Sequence, residues 1–206
     1  MSSISILGLG TYARAIGTRG VEAGNAVEVI GRDPARAKDL AAALGGGATA
    51  GTFGTTPAGD LVILAVPYAS AVPVVAKYGD ALAGKVVIDI SNTSTADATG
   101  LVTPDGSSGA QEIAKGLPAT AHVVKAFNTV FGHVLAKNGR LDAFIAADDA
   151  EAKARVSTFI ESLGLRPLDV GGLHMASTLE ALGLMMIGLA KNGAGTWDIA
   201  LNVGSS

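Results

Sequence analysis

SISILGLGTYARAIGTRGVEAGNAVEVIGRDPARA, residues 3–37, runs from an apolar, β-branched stretch through closely spaced glycines to a second apolar stretch that closes on Gly31-Arg32-Asp33. Within it, Gly8-Leu9-Gly10-Thr11-Tyr12-Ala13 has the form G-x-G-x-x-A, directly after an expected strand and at the opening of an expected helix. The first glycine permits a sharp turn. The second lets the backbone approach a diphosphate with no Cβ in between, and Ala13 keeps the helix close to the strand. The unpaired N–H groups of the first helical turn then point at the phosphates. Glycines also serve tight turns that bind nothing, so the motif alone is weak. Its position, and a second strand about twenty residues on, make it read as a dinucleotide cradle.

The end of that second strand bears on which dinucleotide is meant. An Asp or Glu there would accept hydrogen bonds from a ribose 2′-hydroxyl. Arg32 instead offers a planar fork of permanently charged donors, suited to a 2′-phosphate. Arg36 lies one helical turn further on, and Gly31 is read as leaving room for the bulky group. The pattern favours NADP; the alternative is that both arginines are solvated surface charge. Asp33 either meets a 2′-hydroxyl or caps the helix that opens at Pro34.

Outward from this unit, the chain of 206 residues suits one domain with a modest appendage. Apolar residues make up 49% and charged residues 16%, enough for a sizeable core, and 28 glycines imply many tight turns. A formal charge of -3 argues against a nucleic-acid partner, and the absence of Cys removes disulfide and thiolate chemistry. Strands are expected at Ser3–Leu7, Ala26–Ile30, Leu61–Ala65, Val86–Ile90, His122–Ala126, Ala143–Ala146 and Pro167–Val170. Helices are expected at Thr11–Ala23, Pro34–Leu44, Ala69–Ala76, Gly109–Lys115 and Asp149–Leu163. This alternation predicts an α/β, Rossmann-type, doubly wound and mainly parallel sheet over residues 1–170. Ser94–Ala110 is expected to be a long polar loop. A small C-terminal helical segment, residues 171–206, should pack on the sheet domain or on another subunit. No signal peptide is apparent, and the longest apolar run, Leu179–Ala190, is read as too short to span a bilayer. A cytoplasmic protein without a membrane partner is the expectation.

No catalytic constellation is visible. His122, His133 and His174 are scattered, and none heads a metal-ligand or triad spacing, so no metal is expected. His133 either protonates a product or merely packs. Lys125 either meets an acidic substrate tail or ends its strand. Asp89 reads as a loop-organising carboxylate. Hydride transfer between two stacked rings needs proximity and water exclusion more than a general acid. A ketone or imine would demand a proton donor, for which Tyr12, Tyr68, His133 or a water are the options.

These residues resemble the family of NADPH-dependent reductases of the deazaflavin coenzyme F420, the F420-dependent NADP oxidoreductases. The carriers are LGLGTYA, IGRDPARA, LAVPYASA, VVKAFNTV, the stretch AADDAEAKARVSTFIESLGLRPLDVGGL and STLEALGLMMIGLA. A module of the membrane metalloreductases is similar too, in VVKAFNTV and DISN, although this chain lacks their membrane helices. The resemblance implies an NADP-binding sheet domain and a homodimer. It places the backbone of Gly8, Leu9, Gly10, Thr11 and Tyr12 on the diphosphate, and Gly31, Arg32 and Arg36 on the 2′-phosphate. Val66, Pro67, Tyr68 and Val72 would line the cofactor channel, with Gly132 near the nicotinamide. Ser91, Asn92, Phe127 and Asn128, with Phe131, would occupy the loops that face the deazaflavin. Two positions depart from the family: the usual Ser or Thr beside the arginine is Gly31, and the third glycine of the turn is Ala13.

The expected function is hydride transfer between NADP(H) and coenzyme F420. The alternatives are an NADPH-dependent reductase of another small carbonyl or imine metabolite, and a non-catalytic dinucleotide-sensing module.

Overall fold

Ser3–Leu7 forms β1, the strand around which the sheet is built. The computed structural model describes residues 1–137, 139–194 and 197–204. After β1 come α1 (Thr11–Glu22), β2 (Ala26–Gly31), α2 (Pro34–Leu44), β3 (Thr49–Thr52), β4 (Leu61–Leu64) and α3 (Tyr68–Tyr78). A 3-10 turn (Gly79–Leu82) leads to β5 (Val86–Asp89), α4 (Gly109–Lys115), β6 (His122–Lys125) and α5 (Gly132–Leu135). Then follow β7 (Asp142–Ile145), α6 (Ala150–Ser162), β8 (Arg166–Asp169), a 3-10 turn (Leu173–Met175) and α7 (Ala176–Lys191).

Six strands pair in the order β3-β2-β1-β4-β5-β6, every pair parallel. The parallel pair β7-β8 joins the β6 edge through an antiparallel bridge, Lys125 to Ala146. This is the expected Rossmann-type, doubly wound fold with a C-terminal helix. The strands are short apolar runs because both faces are covered. Ile4, Ile6, Val29, Ile63 and Ile88 point into a core shared with α1, α2 and α6. Leu7, Ile30, Val62, Leu64 and Val87 point the other way, into a core shared with α3 and α4.

The turn after β1 admits only glycine at its first position. Gly8 has φ +136°, and a Cβ there would stand 2.2 Å from the carbonyl oxygen of Ala65 at the end of β4. The glycine therefore lets the β1 turn lie against the neighbouring strand.

Two elements are additional to those expected. β3 (TAGT) is an edge strand, largely exposed, with no apolar alternation to reveal it. α5 is a single turn, too short for a helical period. The region 94–110 is mostly loop, but it contains an antiparallel bridge between Ser94 and Leu101.

The 3-10 turn and α7 form one continuous 19-residue helix, Leu173–Lys191, long and apolar enough by length and composition to cross a membrane. The apolar run Leu179–Ala190 lies within this helix, which extends beyond it at both ends. In this fold it lies on the sheet domain, with Ala176, Leu179, Glu180, Gly183, Met186 and Ala190 buried. The chain then returns across the β6–β7 end of the sheet. Ala200 bridges to Val130, and the backbone N–H of Val203 donates to Asp142 Oδ2 at 2.6 Å.

Candidate active site

The strand order reverses between β1 and β4, and a cleft of ≈ 640 Å³ opens there at the carboxyl ends of the strands. Ligands of open α/β sheets bind at this kind of crossover. Gly8, Leu9 and Gly10 form its floor, Gly31, Arg32 and Arg36 one wall, and Val66 and Pro67 the other. A Cβ built on Gly10 meets nothing within 4 Å, so the backbone faces open space. α1 has Gly10 as its N-cap and no side-chain cap, whereas Asp33, Ser108 and Asp149 cap α2, α4 and α6. The first amides of α1, from Thr11 and Tyr12 on, are left for an external acceptor.

Arg32 and Arg36 are exposed at one end of the cleft, and neither pairs with an acidic group among the described residues. Asp33 caps: its carboxylate accepts from the N–H groups of Ala35 at 3.0 Å and Arg36 at 3.2 Å. Gly31 needs correction. A Cβ there would lie 2.4 Å from Leu9 Cδ1, so the space is taken by the Leu9 side chain and is not kept for a phosphate. Phe53, just after β3, and Lys77, on α3, complete this end. The sequence reading missed both, because β3 itself was not recognised and the helix carrying Lys77 was expected to end at Ala76.

Tyr12 and Gly132 meet on the far side of the turn. A Cβ on Gly132 would lie 3.2 Å from both Thr11 and Tyr12, and the Tyr12 hydroxyl donates to the Val130 carbonyl at 2.8 Å. Burial pushes the Tyr12 phenol up to about 12. With its proton committed to Val130, Tyr12 is not a ready acid. Tyr68 and Val72 do not line the cleft with Val66 and Pro67; Tyr68 instead turns toward α4. A Cβ on Gly109 would come within 3.0 Å of the Tyr68 ring. Burial, then the negative charges of Glu112, Glu180 and Asp89, raise the Tyr68 phenol above its ordinary value.

Beside Tyr68, three charges meet in the interior. Lys125 Nζ donates to Asp89 Oδ2 at 2.8 Å, to Glu180 Oε1 at 2.9 Å and to the Ser91 carbonyl at 2.6 Å. All three charged side chains have zero exposure. Zero exposure overturns the reading of Lys125 as a contact for a substrate tail. Asp89 does organise its loop, accepting from the Ser91 N–H at 2.9 Å. Glu180 was missed. A lone acid within an otherwise apolar helix was the signal that could have marked it as buried and paired.

Asn92 and Asn128 join the two loops that leave β5 and β6. Asn128 Nδ2 donates to Asn92 Oδ1 at 2.9 Å and to the Leu179 carbonyl at 2.7 Å. Asn92 Nδ2 returns a bond to the Asn128 carbonyl at 2.9 Å. Gly183 of α7 packs directly on this pair: a Cβ there would lie 2.2 Å from Asn92 Oδ1. Among the described residues, the buried Ser91 Oγ, Asn128 Oδ1 and Thr129 Oγ1 have no hydrogen-bond partner. Phe127 is a correction. Its ring is wholly buried and packs edge-on against Phe159, so it faces the core and not a substrate. Its φ of +60° is a strained conformation for a bulky residue, held there by that burial.

His133 is exposed, stacks on Phe131 with ring centroids 5.9 Å apart, and shares a 2.7 Å hydrogen bond with the Trp197 carbonyl. The Trp197 ring lies 5.6 Å from Phe131, so the C-terminal strap reaches this loop.

Residues 3–93 match the sequence profile of the family described as NADP oxidoreductase, coenzyme F420-dependent. The chain is 32% identical over 190 residues to the metalloreductase STEAP3 of Rattus norvegicus, covering 89% of this chain and 37% of that protein. It is 31% identical over 141 residues to the F420-dependent NADP reductase of Methanocaldococcus jannaschii, covering 64% of this chain and 62% of that protein. The chain thus spans less than two thirds of either relative. Among solved structures, a protein from Arthrobacter sp. FB24, provisionally assigned as an F420-dependent NADP reductase, superposes with a TM-score of 0.82. Identity there is 26%, over 93% of this chain and 95% of that one.

Proposed function

We propose that this chain, which is similar to F420-dependent NADP oxidoreductases, transfers a hydride between NADP(H) and coenzyme F420. One observation carries the nucleotide half of the reading. A single cleft joins an uncapped helix start above an open glycine backbone to two arginines with no acidic partner among the described residues. These residues fit a phosphorylated dinucleotide. The amides of Thr11 and Tyr12 would hold the diphosphate, and Arg32 and Arg36 the 2′-phosphate. NADPH supplies the hydride when bound.

The chain's own groups position, exclude water and hold charge. Val66 and Pro67 wall the cleft, and the Asn92–Asn128 pair fixes the two loops beyond it. The deazaflavin reading is supported by the family match and by the absence of a ready acid at Tyr12.

The decisive experiment mixes the purified protein with NADPH and oxidised F420 and follows the absorbance of both. Loss of both oxidised deazaflavin and NADPH bands at equal rates is expected. NADPH binding with no turnover would instead favour the sensing module. One observation favours reduction of a carbonyl or imine: Tyr68, with a raised phenol, remains able to donate a proton from its hydroxyl oxygen.

A further inference from the structure

Lys77, in the last turn of α3, lines the same cleft as Arg32 and Arg36 but comes from the opposite wall, in the helix that follows Val66-Pro67. The strand register shows where it reaches. Thr52 of β3 pairs with Gly31 of β2, so the chain leaves these two parallel strands side by side as Phe53 and Arg32. Gly54 comes next, and a Cβ built on it would lie 3.3 Å from Lys77 Cε. The lysine stem therefore extends from α3 onto the loop beside Arg32. The neighbouring Tyr78 holds this arrangement: it is buried and meets Phe53 edge-on, with ring centroids 5.6 Å apart.

A lysine at the end of a helix can simply answer the helix dipole or a nearby acid. Lys85, Lys115, Lys137 and Lys153 each pair with a carboxylate. Among the described residues Lys77 has no such partner, and its ammonium donates to none of the last carbonyls of α3. The acid that lines the cleft is Asp33, whose carboxylate is occupied by the N–H groups of Ala35 and Arg36. A chain of formal charge -3 thus gathers three cations at one end of one cleft, from three successive elements, with no carboxylate free to neutralise them.

Such a concentration of one sign suits a multiply charged anion. A phosphate monoester carries close to two negative charges at neutral pH and three strong acceptor oxygens. Two guanidinium forks on the β2–α2 wall serve the side of it that faces them. A compact ammonium on a flexible stem suits the side turned toward α3.

We infer that Lys77 is a further binding residue for the 2′-phosphate, and that the phosphorylated nucleotide joins the two walls of the cleft through it. NADH, which lacks this phosphate, leaves the walls unbridged at this end. Lys77 is in this way a specificity-determining residue from the side of the cleft opposite the arginines. The inference rests on the NADP assignment proposed above.

Equilibrium binding to the full chain tests it without turnover. Dissociation constants for NADPH, NADH and adenosine 2′,5′-bisphosphate are measured for the wild type and for Lys77→Met, which removes the charge, keeps most of the stem and sits at an exposed position. Binding of NADPH and of the bisphosphate is expected to weaken by the same factor, about three- to tenfold, while NADH changes less than about twofold. Lys77→Arg should restore most of the loss. Lys38→Met, which removes an exposed lysine of α2 that does not line the cleft, should leave all three constants in place. Equal weakening of NADPH and NADH in Lys77→Met, no weakening of either, or the same loss in Lys38→Met overturns the inference. A wild-type chain that binds NADPH no better than NADH would overturn the NADP assignment itself. A wild type that prefers NADPH, with Lys77→Met unchanged, removes only Lys77, so the two failures are told apart.

Discussion

Lys125 and Glu180 stand 2.9 Å apart with both side chains fully buried, although one ends β6, at the edge of the six-stranded sheet, and the other lies in the C-terminal helix. The pair ties α7 to the carboxyl edge of the sheet, where Asp89, Ser91 and Thr93 complete its hydrogen bonds. Lys125→Met removes the cation and leaves two carboxylates buried without it. A loss of about 3–5 kcal/mol in unfolding free energy is expected, read as a lower urea midpoint. A change below about 1 kcal/mol would show that the carboxylates escape to water or take up protons at little cost.

Arg32→Ala should weaken NADPH binding about tenfold to a hundredfold and leave NADH binding nearly unchanged. The lost contact is a charge-assisted one to phosphate, worth about 1.5–3 kcal/mol. Fluorescence titration with both nucleotides checks this, and equal losses would remove Arg32 from the 2′-phosphate.

The two glycines of the first turn should separate folding from binding. Gly8→Ala meets the Ala65 carbonyl at a positive φ, and a destabilisation of about 2–5 kcal/mol is expected. Gly10→Val should keep its thermal midpoint within a few degrees, because its Cβ enters open space, yet lose affinity for NADP(H) at least about tenfold. Thermal denaturation and nucleotide titration on the same preparations decide between the two effects. Similar behaviour of both variants would contradict the assignment of Gly10 to the diphosphate.

Tyr68→Phe distinguishes the two chemistries. With F420 as acceptor, kcat should stay within about threefold of wild type, since the hydride moves between stacked rings. A loss of about a hundredfold or more would identify the Tyr68 hydroxyl as a general acid and favour a carbonyl or imine substrate.

Acid should release the C-terminal strap. The hydrogen bond from Arg166 holds the Asp142 carboxyl below its usual range, and the Val203 N–H adds to this. A carboxyl lowered in the folded state contributes stability that is fully present above its unfolded value, about 3.9, and lost as pH falls through the lower folded value. Urea midpoints should therefore drop below about pH 4 in the wild type, and less steeply in Asp142→Asn. Parallel pH profiles for the two proteins would rule out this carboxyl as the latch.

Much of the frame was legible in residues 3–170. Pro34–Leu44 and Gly109–Lys115 form as expected because a first-turn proline, a capping Asp33 and a capping Ser108 are local signals. β3 was not legible, because an exposed edge strand of small polar residues has no buried face to impose a period. Gly31 was misread for a related reason. What fills its missing Cβ is Leu9, whose side-chain direction cannot be inferred from spacing.

By itself the sequence determined a glycine turn between strand and helix, a cation at the end of the second strand, and an α/β order that can close only as a twisted parallel sheet. These follow from steric freedom, charge and hydrophobic period, all of which act over a few neighbouring residues. The tertiary structure alone decided that Glu180 reaches Lys125, that Gly183 gives way to Asn92, and that Phe127 turns inward while Asn128 bridges two loops. Those outcomes depend on which distant surfaces are pressed together when water is expelled. A buried charge then finds its partner wherever the packing of the helices happens to place one.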